Sequence, residues 1–510
     1  MESLAETPWD VTISGTGLAQ SLLALALSRS GKKVLHVDQN QYYGGSEAAF
    51  SLQEAQDWAT QVNEEPERFP FENAIVSSQD SNGVLASRAY TLSLSPQMIY
   101  ARSELLPTLV SSKVYRQLEF LAVGSWWIYK FQNDTTAEQG GGFMYRVPSS
   151  REDVFADDFI GVKSKRTLMK FIRHIAKQEA ETKPEDEVPD TSFSEYLASK
   201  FQLPAELHST LLSLALSQDS DQQTSAAFAV PRIKRHMASI GVFGPGFGSL
   251  IAKWGGGSEI SQVGCRSLAV GGGVYVLGSG IQSITPAIET EPGADARAQV
   301  RLSNDETFQS TFVIGSDWEL PGQPRPQCDK VSRSIAIVSD PFSTLFPVTA
   351  DGGPVPSGAV VLFPGSSLGQ PDDAPPVYIL VHTSETGECP SGQCVLYCSV
   401  SIPGLKGQSL IEDAVRKLLE STPNTDAKVL WSLRYTQLGR SADGARGTQP
   451  AKLTMHPNNV ISFPPPSLDL TFDDRVLDLV KEAWEAVMGD EAANHEFMIF
   501  EDREGAYDEE

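Results

Sequence analysis

The chain has 510 residues, 40% of them hydrophobic and 9% aromatic, which is typical of a globular protein with two or three domains. Its 65 acidic and 40 basic residues give a formal net charge of −25, which disfavours binding to nucleic acid and to anionic membrane surfaces. The sequence contains no run of about 20 apolar residues that would span a membrane, and its first residues lack the pattern of a signal peptide, so we expect a soluble, cytoplasmic protein.

The five cysteines do not form the even set of a disulfide-stabilised fold, which agrees with a reducing compartment. Cys389, Cys394 and Cys398 are close in sequence, but no two of them are separated by the two residues that are common in zinc sites. We therefore expect no bound metal.

Residues 9–38 have the pattern of a strand, a glycine turn, a helix and a second strand. The first strand runs into Gly15 and Gly17, and the second ends at Asp38. The helix between them carries an apolar face formed by Leu22, Leu23, Leu25, Ala26 and Leu27. Because a short right-handed crossover joins parallel strands, the pattern predicts a βαβ unit in an α/β fold.

This unit carries part of a dinucleotide-binding motif. Gly15 and Gly17 stand where glycines form the tight turn and admit the pyrophosphate, and Asp38 stands where an acid binds the ribose. Gln20 replaces the third glycine, and prolines at 464–466 replace the Gly-Asp pair that usually closes the site in flavoproteins of this layout. We therefore interpret Gly15, Gly17 and Asp38 as a vestigial motif, and we expect a flavoprotein-like fold with no cofactor.

The remaining elements divide the chain into an α/β part and a helical part. Residues 151–240 lack strand alternation and predict an inserted all-helical domain. The flanking segments, 1–150 and 241–490, predict one discontinuous multi-sheet α/β domain, and residues 491–510 predict an acidic tail. Strands are predicted at 126–130, 143–148, 312–316, 334–339, 359–363, 377–381, 395–400 and 429–435, and helices at 52–62 and 473–489. Much of 99–121 has helical spacing, which Pro107 interrupts. A loop is predicted at 132–142 and a charged linker at 183–190.

Four blocks, in this order, resemble the family of Rab GDP-dissociation inhibitors and Rab escort proteins. The first is GTGL at residues 15–18 followed by GKKVLHVDQNQYYGG at 31–45. The others are residues 98–120, then 126–130 with 145–150, then 255–277. The family has a flavoprotein-like fold without redox chemistry. The segments SRSGKKVLHVD, MIYARS and VLWSLRY, and the chain length, resemble the escort branch more than the inhibitor branch.

The resemblance implies three binding regions. Residues at the family's Rab-contact positions are Tyr43, Glu259, Gln262, Arg266 and Val274. A predicted apolar helix that would receive the Rab C-terminus carries Leu105, Leu106, Val110, Val114 and Leu118. The helical domain would hold the geranylgeranyl group, with Phe171, Leu197, Leu211, Leu212, Leu214 and Phe228 as candidates, and would dock the Rab geranylgeranyltransferase heterodimer. Each set also has a purely structural interpretation: Arg266 pairs with Glu259, Tyr43 fills the core, and the apolar residues form ordinary core stripes.

The resemblance implies a non-catalytic function. Such a protein would bind the GDP form of an unprenylated Rab, present it to the transferase, shield the lipid and deliver the Rab during a transient membrane contact. Three alternatives remain open: an inhibitor that recycles prenylated Rabs, a flavin-dependent oxidoreductase, and a scaffold that binds another protein.

Overall fold

The computed structural model describes residues 4–78, 83–131, 142–148, 151–177, 188–286, 297–441 and 451–501. The helices in this part of the chain are α1 Leu18–Arg29, α2 Leu52–Glu64, α3 Leu105–Ser111, α4 Arg151–Ala156, α5 Val162–Lys177, α6 Phe193–Tyr196, α7 His208–Ala215, α8 Ala226–Ser239, α9 Gly257–Val270, α10 Gly404–Glu420 and α11 Arg475–Met488. The strands are β1 Trp9–Ser14, β2 Val34–Asp38, β3 Ala49–Phe50, β4 Phe71–Ser78, β5 Leu92–Ser93, β6 Ile99–Tyr100, β7 Phe120–Phe131, β8 Gly142–Arg146, β9 Ser249–Ala252, β10 Val274–Leu277, β11 Ile281–Thr285, β12 Ala298–Leu302, β13 Thr307–Ser316, β14 Asp329–Val338, β15 Gly358–Phe363, β16 Val377–Thr383, β17 Cys394–Val400, β18 Val429–Gly439, β19 Thr454–His456 and β20 Val460–Phe463.

The first sheet has the strand order β10-β2-β1-β13-β12-β11. Strand β20 also pairs with β13, and β19 pairs with β20. Strands β10, β2, β1, β13 and β20 run parallel, and β1 pairs with β2 in the register Val11 to Val34. This confirms the predicted βαβ unit. Helix α1 is buried against the sheet, α9 and α11, because apolar residues occupy nearly its whole circumference. The carboxyl ends of the parallel strands therefore meet at one edge.

The second sheet has ten strands in the order β4-β18-β14-β17-β16-β15-β7-β9-β6, with β8 on β7. It is antiparallel except where β15 runs parallel to β7. Helix α10 packs on one face of it. The prediction of strands and turns alone for this part missed α10, although its buried residues repeat at helical spacing: Leu410, Ile411, Ala414, Val415 and Leu418.

The described residues of 151–240 form helices α4 to α8. They pack on the other face of the second sheet, since Phe171 of α5, Leu211 of α7 and Tyr378 of β16 belong to one buried cluster. Tyr378 also donates a hydrogen bond from its hydroxyl to the carbonyl of Leu212 at 3.3 Å. The predicted loop at 132–142 lies outside the described residues except for Gly142, which begins β8. Most of the charged linker predicted at 183–190 also lies outside them.

The apolar helix predicted to carry Leu105 through Leu118 is not a single helix. The segment begins as β6, forms the seven-residue helix α3, and continues as a short 3-10 helix at Val114–Gln117 before β7. Pro107 is accommodated because it lies in the first turn of α3, where a backbone donor has no intrahelical partner. Lys113 ends the helical path because its φ of 63° is left-handed.

The segment predicted as a tail from residue 491 packs against the first sheet's helices as far as it is described. The side chain of Met498 is only 2% exposed, and the backbone nitrogen of Phe500 donates to the carbonyl of Ser111 at 3.2 Å. Burial of apolar side chains holds this segment in place despite its acidic composition. Residues 502–510 lie outside the described part. No helix among the described residues has the length and apolar character of a membrane span.

Candidate functional site

The first element of the candidate site is the tight turn Tyr42-Tyr43-Gly44-Gly45, which follows β2 at the carboxyl edge of the first sheet. Gly44 has a φ of 99°, and a Cβ there would lie 3.0 Å from the Cα of Ala48, so the turn requires glycine. The backbone nitrogen of Gly44 donates to the hydroxyl of Thr16 at 3.0 Å. The turn is thereby fixed to the loop after β1, and Tyr43 remains half-buried at the surface.

Helix α9 supplies the second element. Glu259, Gln262 and Arg266 recur at spacings of three and four residues, so they share one face of the helix. Arg266 is exposed and the other two are partly exposed, whereas the opposite face is buried in the first-sheet core by Ile260, Val263 and Leu268. Charge on Arg266 lowers the pKa of Tyr43, although burial raises it overall, which places the two side chains in the same neighbourhood.

The third element is the edge strand β10. Val274 is 36% exposed and pairs with Leu35, and the ring of Tyr275 lies 6.2 Å from that of Tyr43 in an edge-to-face contact. Buried His36 donates from Nε2 to the carbonyl of Gly15, so its Nδ1 accepts a hydrogen bond from the Tyr275 hydroxyl at 3.1 Å. Burial lowers the pKa of His36 to about 4 and keeps the ring neutral.

The structure therefore brings Tyr43 close to Arg266 and its neighbours on α9, and it places Val274 on the adjacent edge strand β10. We call the five predicted Rab-contact residues the platform: Tyr43, Glu259, Gln262, Arg266 and Val274. Arg266 and Glu259 form no close ion pair within the described part of the chain, and their interaction is limited to the influence of one charge on the other. Burial raises the pKa of Glu259, and the nearby charge of Arg266 partly offsets this. The platform thus presents an unpaired guanidinium beside a half-buried carboxyl and a tyrosine ring.

The residues predicted to receive the Rab C-terminus do not form an exposed patch. Leu105, Leu106 and Val114 are buried in the first-sheet core, and Leu118 is partly buried. Only Val110 is well exposed among these five, at 52%. The break in the helix at Lys113 explains this difference, because the stripe expected on one helix is divided between α3 and a 3-10 turn.

An apolar cavity of about 70 Å³ lies between the helices of 151–240 and the residues that follow β8. Of the six lipid-site candidates, Phe171, Leu211 and Leu214 line it. Leu197 and Leu212 are buried elsewhere in the same core, while Phe228 is half-buried with its ring 4.3 Å from the guanidinium of Arg232. The other lining residues are Val147, Pro148, Val154, Leu168, Ile172, Leu207, Thr210, Ile233, His236 and Met237.

The sequence prediction missed His236, which is 2% exposed in the wall of this cavity. Burial lowers its pKa to about 4, so the ring is neutral at physiological pH. Its ring packs edge-on against Trp126 at 4.6 Å. A neutral ring is compatible with an apolar ligand, and the other residues that line the cavity are also mostly apolar.

The cleft expected of a dinucleotide site is occupied by the chain's own carboxylates. Glu47 accepts a hydrogen bond from the backbone nitrogen of Leu18 at 3.3 Å, at the amino end of α1. Glu319 lies against Gly15 so closely that a Cβ there would collide with its carboxylate. Asp38 is fully buried and accepts from the backbone nitrogen of Thr16 at 2.8 Å. None of these three acids is free to bind a ribose or a phosphate.

The residues present therefore do not fit a flavin dinucleotide. A pyrophosphate normally lies at the amino end of the first helix, where the side chains of Glu47 and Glu319 occupy the space. The cleft is also lined by Pro464, Pro465 and Pro466 after β20. Sequence reasoning missed both glutamates, although Glu319 follows the end of the parallel strand β13 and so lies at the edge where ligands of such sheets bind.

The three clustered cysteines lie in the cores around the second sheet. Cys394 and Cys398 are buried on β17, and Cys389 is buried nearby in the core shared with the helices. Burial raises the pKa of the Cys389 thiol to about 12. Within the described ranges, no three His, Cys, Asp or Glu side chains are grouped so that they could hold a metal ion.

Three comparisons place this geometry among known proteins. The family model described as GDP dissociation inhibitor matches residues 5–421. The "Rab proteins geranylgeranyltransferase component A" of Saccharomyces cerevisiae is 31% identical over 413 residues, 80% of this chain and 64% of the relative. The chain thus spans less than two thirds of that relative's length.

Two solved structures share the fold. The Rab GDI of Plasmodium falciparum superposes with a TM-score of 0.66 at 19% identity, covering 94% of this chain and 98% of the other. An oxidoreductase from Methanosarcina mazei superposes with a TM-score of 0.57 at 12% identity, covering 93% and 99%. The predicted flavoprotein-like α/β fold is confirmed. Since the family model covers most of the sequence, the chain belongs to the GDP dissociation inhibitor family.

Proposed function

We propose that this protein is a Rab escort protein, which binds Rab GTPases in their GDP form through the platform. The observation that carries the proposal is the convergence of Tyr43, Arg266 and their neighbours on one exposed surface. Tyrosine and arginine are common anchors of protein interfaces, and an unpaired guanidinium has donors available for a partner. The name of the yeast relative, a component of a Rab geranylgeranyltransferase, supports this partner.

The helical block, residues 151–240, would serve the lipid, while the discontinuous α/β part, residues 1–150 and 241–490, would bind the Rab. Each methylene removed from water contributes about 0.8 kcal/mol, so a C20 chain gains much from an apolar cavity. The cavity beside Phe171, Leu211 and Leu214 has the required character. The residues that line the cavity belong to the buried core of the helical block. Helices α5 and α7 must therefore move apart to admit a lipid.

In this proposal the protein has no catalytic role, and the prenyl transfer belongs to the separate Rab geranylgeranyltransferase. Binding energy selects the Rab, the complex presents its C-terminus to the transferase, and the cavity shelters the product until delivery to a membrane. The second candidate is an inhibitor that extracts and recycles prenylated Rabs, which is favoured by the fold shared with the Plasmodium Rab GDI.

Reconstituted prenylation separates the two candidates. Purified transferase, a GDP-loaded Rab and geranylgeranyl diphosphate are combined with or without this protein, and lipid incorporation is measured. An escort protein makes incorporation dependent on its addition. If incorporation is unchanged while the protein still solubilises prenylated Rab from vesicles, the inhibitor function replaces the escort function.

A further inference from the structure

The hydroxyl of Thr16 joins the dinucleotide motif to the tight turn that carries Tyr43. Thr16 is fully buried within the glycine turn after β1. Its hydroxyl donates a hydrogen bond to Oδ2 of Asp38 at 2.7 Å and accepts one from the backbone nitrogen of Gly44 at 3.0 Å. The same nitrogen also donates to the carbonyl of Thr16 at 3.2 Å. One buried side chain therefore connects the acid that ends β2 with the residue next to Tyr43.

Backbone contacts hold the tight turn on the second glycine of the motif. A Cβ on Gly45 would lie 3.3 Å from the backbone nitrogen of Gly17, so the two backbones are in direct contact. Asp38 is fully buried and accepts hydrogen bonds from the backbone nitrogens of Thr16 at 2.8 Å and Asn40 at 2.7 Å. The acid thus fixes the glycine turn and the end of β2 together, and the tight turn starts from a rigid base.

A second path links the glycine turn to Tyr43 through two aromatic side chains. His36 is fully buried on β2, donates to the carbonyl of Gly15 and accepts from the hydroxyl of Tyr275 at 3.1 Å. The ring of Tyr275 lies 4.8 Å from that of His36 and meets the ring of Tyr43 edge-on at 6.2 Å. Both paths therefore begin at the glycine turn and end at Tyr43.

We propose that Thr16, Asp38 and His36 are positioning residues that hold Tyr43 ready for Rab binding. All three are fully buried, so they act through Tyr43 and not by contact with a partner. A tyrosine on a loose turn would lose conformational freedom when it binds, and that loss would lower the affinity. A turn that is already fixed avoids this loss. The role rests on the proposed function and deepens it, because it adds the residues that hold the tyrosine anchor.

Thr16→Val tests the first path, because valine keeps the shape of threonine but has no hydroxyl. We expect the affinity for a GDP-loaded Rab, measured well below the unfolding temperature, to fall about tenfold, which corresponds to the loss of one hydrogen bond. Thr16→Ser keeps the hydroxyl and should bind within about twofold of the unaltered protein. The matched control is Thr12→Val. Thr12 is fully buried on β1, and its hydroxyl has no hydrogen-bond partner among the described residues.

A double-mutant cycle with Tyr43→Ala separates positioning from a general loss of structure. In the Tyr43→Ala background, Thr16→Val should change the affinity by less than about twofold, because no tyrosine remains to be positioned. An equal loss of affinity in both backgrounds would overturn the inference while leaving the proposed function in place. If Tyr43→Ala alone leaves the affinity unchanged, both the platform and the role of Thr16 in binding are wrong.

Hydrogen exchange of the backbone amides at 42–45 gives a second readout that needs no Rab. Thr16→Val should make this exchange several-fold faster, and Thr12→Val should leave it unchanged. Unchanged exchange in Thr16→Val would overturn the inference whether or not a Rab binds. So would faster exchange at an unaltered Rab affinity, since the turn would then move without consequence for binding.

Tyr275→Phe tests the second path at a half-buried position, which keeps the inference testable even if Thr16→Val does not fold. It removes the hydroxyl that donates to His36 and retains the ring that contacts Tyr43. We expect faster exchange at 42–45 and a several-fold weaker Rab affinity that disappears in the Tyr43→Ala background. Exchange and affinity that both match the unaltered protein would remove His36 from the set of positioning residues and overturn the second path.

Discussion

The side-chain amide of Gln20 donates a hydrogen bond to the carboxylate of Glu319 at 3.0 Å, across the glycine turn of the βαβ unit. Glu319 also accepts from the backbone nitrogen of Ser316 at 2.8 Å. The residue that replaces the third glycine of the dinucleotide motif therefore holds an acid over Gly15. This contact accounts for the altered motif in physical terms, since Gln20 stabilises the group that excludes a pyrophosphate.

We expect the purified protein to be colourless and to bind no added flavin adenine dinucleotide. The carboxylates of Glu47 and Glu319 occupy the amino end of α1, where the pyrophosphate of a bound flavin would lie. Visible absorption spectra and quenching of flavin fluorescence measure this. A tightly bound flavin in the purified protein would contradict the interpretation and restore the oxidoreductase alternative.

Replacing Glu319 with Gln should stabilise the protein at alkaline pH. Burial, together with the nearby charge of Asp38, raises the pKa of Glu319 from 4.5 to about 7. The folded state therefore binds more protons than the unfolded state between these pH values, and the free energy of unfolding falls as the pH rises through this window. The loss approaches about 3 kcal/mol above the folded pKa.

Urea denaturation below and above the pH range in which Glu319 titrates measures this change in the free energy of unfolding. Gln keeps a carbonyl oxygen for Ser316 and Gln20 but cannot ionise, so the variant should exceed the unaltered protein in stability at about pH 8 and match it near pH 4. Burial also raises the pKa values of Asp38 and Glu47, so the free energy of unfolding of both proteins still depends on pH. If this pH dependence is identical in the two proteins, Glu319 is not the group responsible for it.

Arg266→Ala should weaken binding to a GDP-loaded Rab by about 2 kcal/mol, roughly 30-fold, because it removes the exposed guanidinium from the platform. Isothermal titration calorimetry measures the affinity. The fold should be unaffected, since Arg266 is exposed and forms no ion pair within the described residues. Arg416→Ala on α10 is the matched control, because Arg416 is exposed on the second sheet's side of the molecule. Equal affinities of both variants would show that the Rab binds elsewhere.

Leu211→Phe should weaken binding of a fluorescent geranylgeranyl-cysteine probe about tenfold. The larger ring fills part of the cavity and displaces at least one or two methylenes of the ligand, each contributing about 0.8 kcal/mol. Leu212→Phe is the matched control, because Leu212 is equally buried but does not line the cavity. Both variants overpack a core, so a similar loss in both would mean that the fold, rather than the cavity, was affected.

Local sequence patterns were sufficient for much of the fold. The glycine turn and the apolar helix predicted the βαβ unit because neighbouring residues alone determine a tight turn and a buried helix face. The same approach missed α10, whose apolar residues alternate with charged ones, and it joined two short elements around Lys113 into one helix. The left-handed conformation at Lys113 has no signal in its own side chain, since lysine rarely adopts it.

The sequence by itself determined the family, the βαβ unit and the helical character of 151–240, because these depend on motifs and periodicities within short segments. Only the tertiary structure decided that Glu47 and Glu319 fill the dinucleotide cleft, that Tyr275 rests on His36, and which leucines face the cavity. These features are contacts between residues far apart in the chain. Packing of whole elements sets such contacts, and no local pattern encodes them.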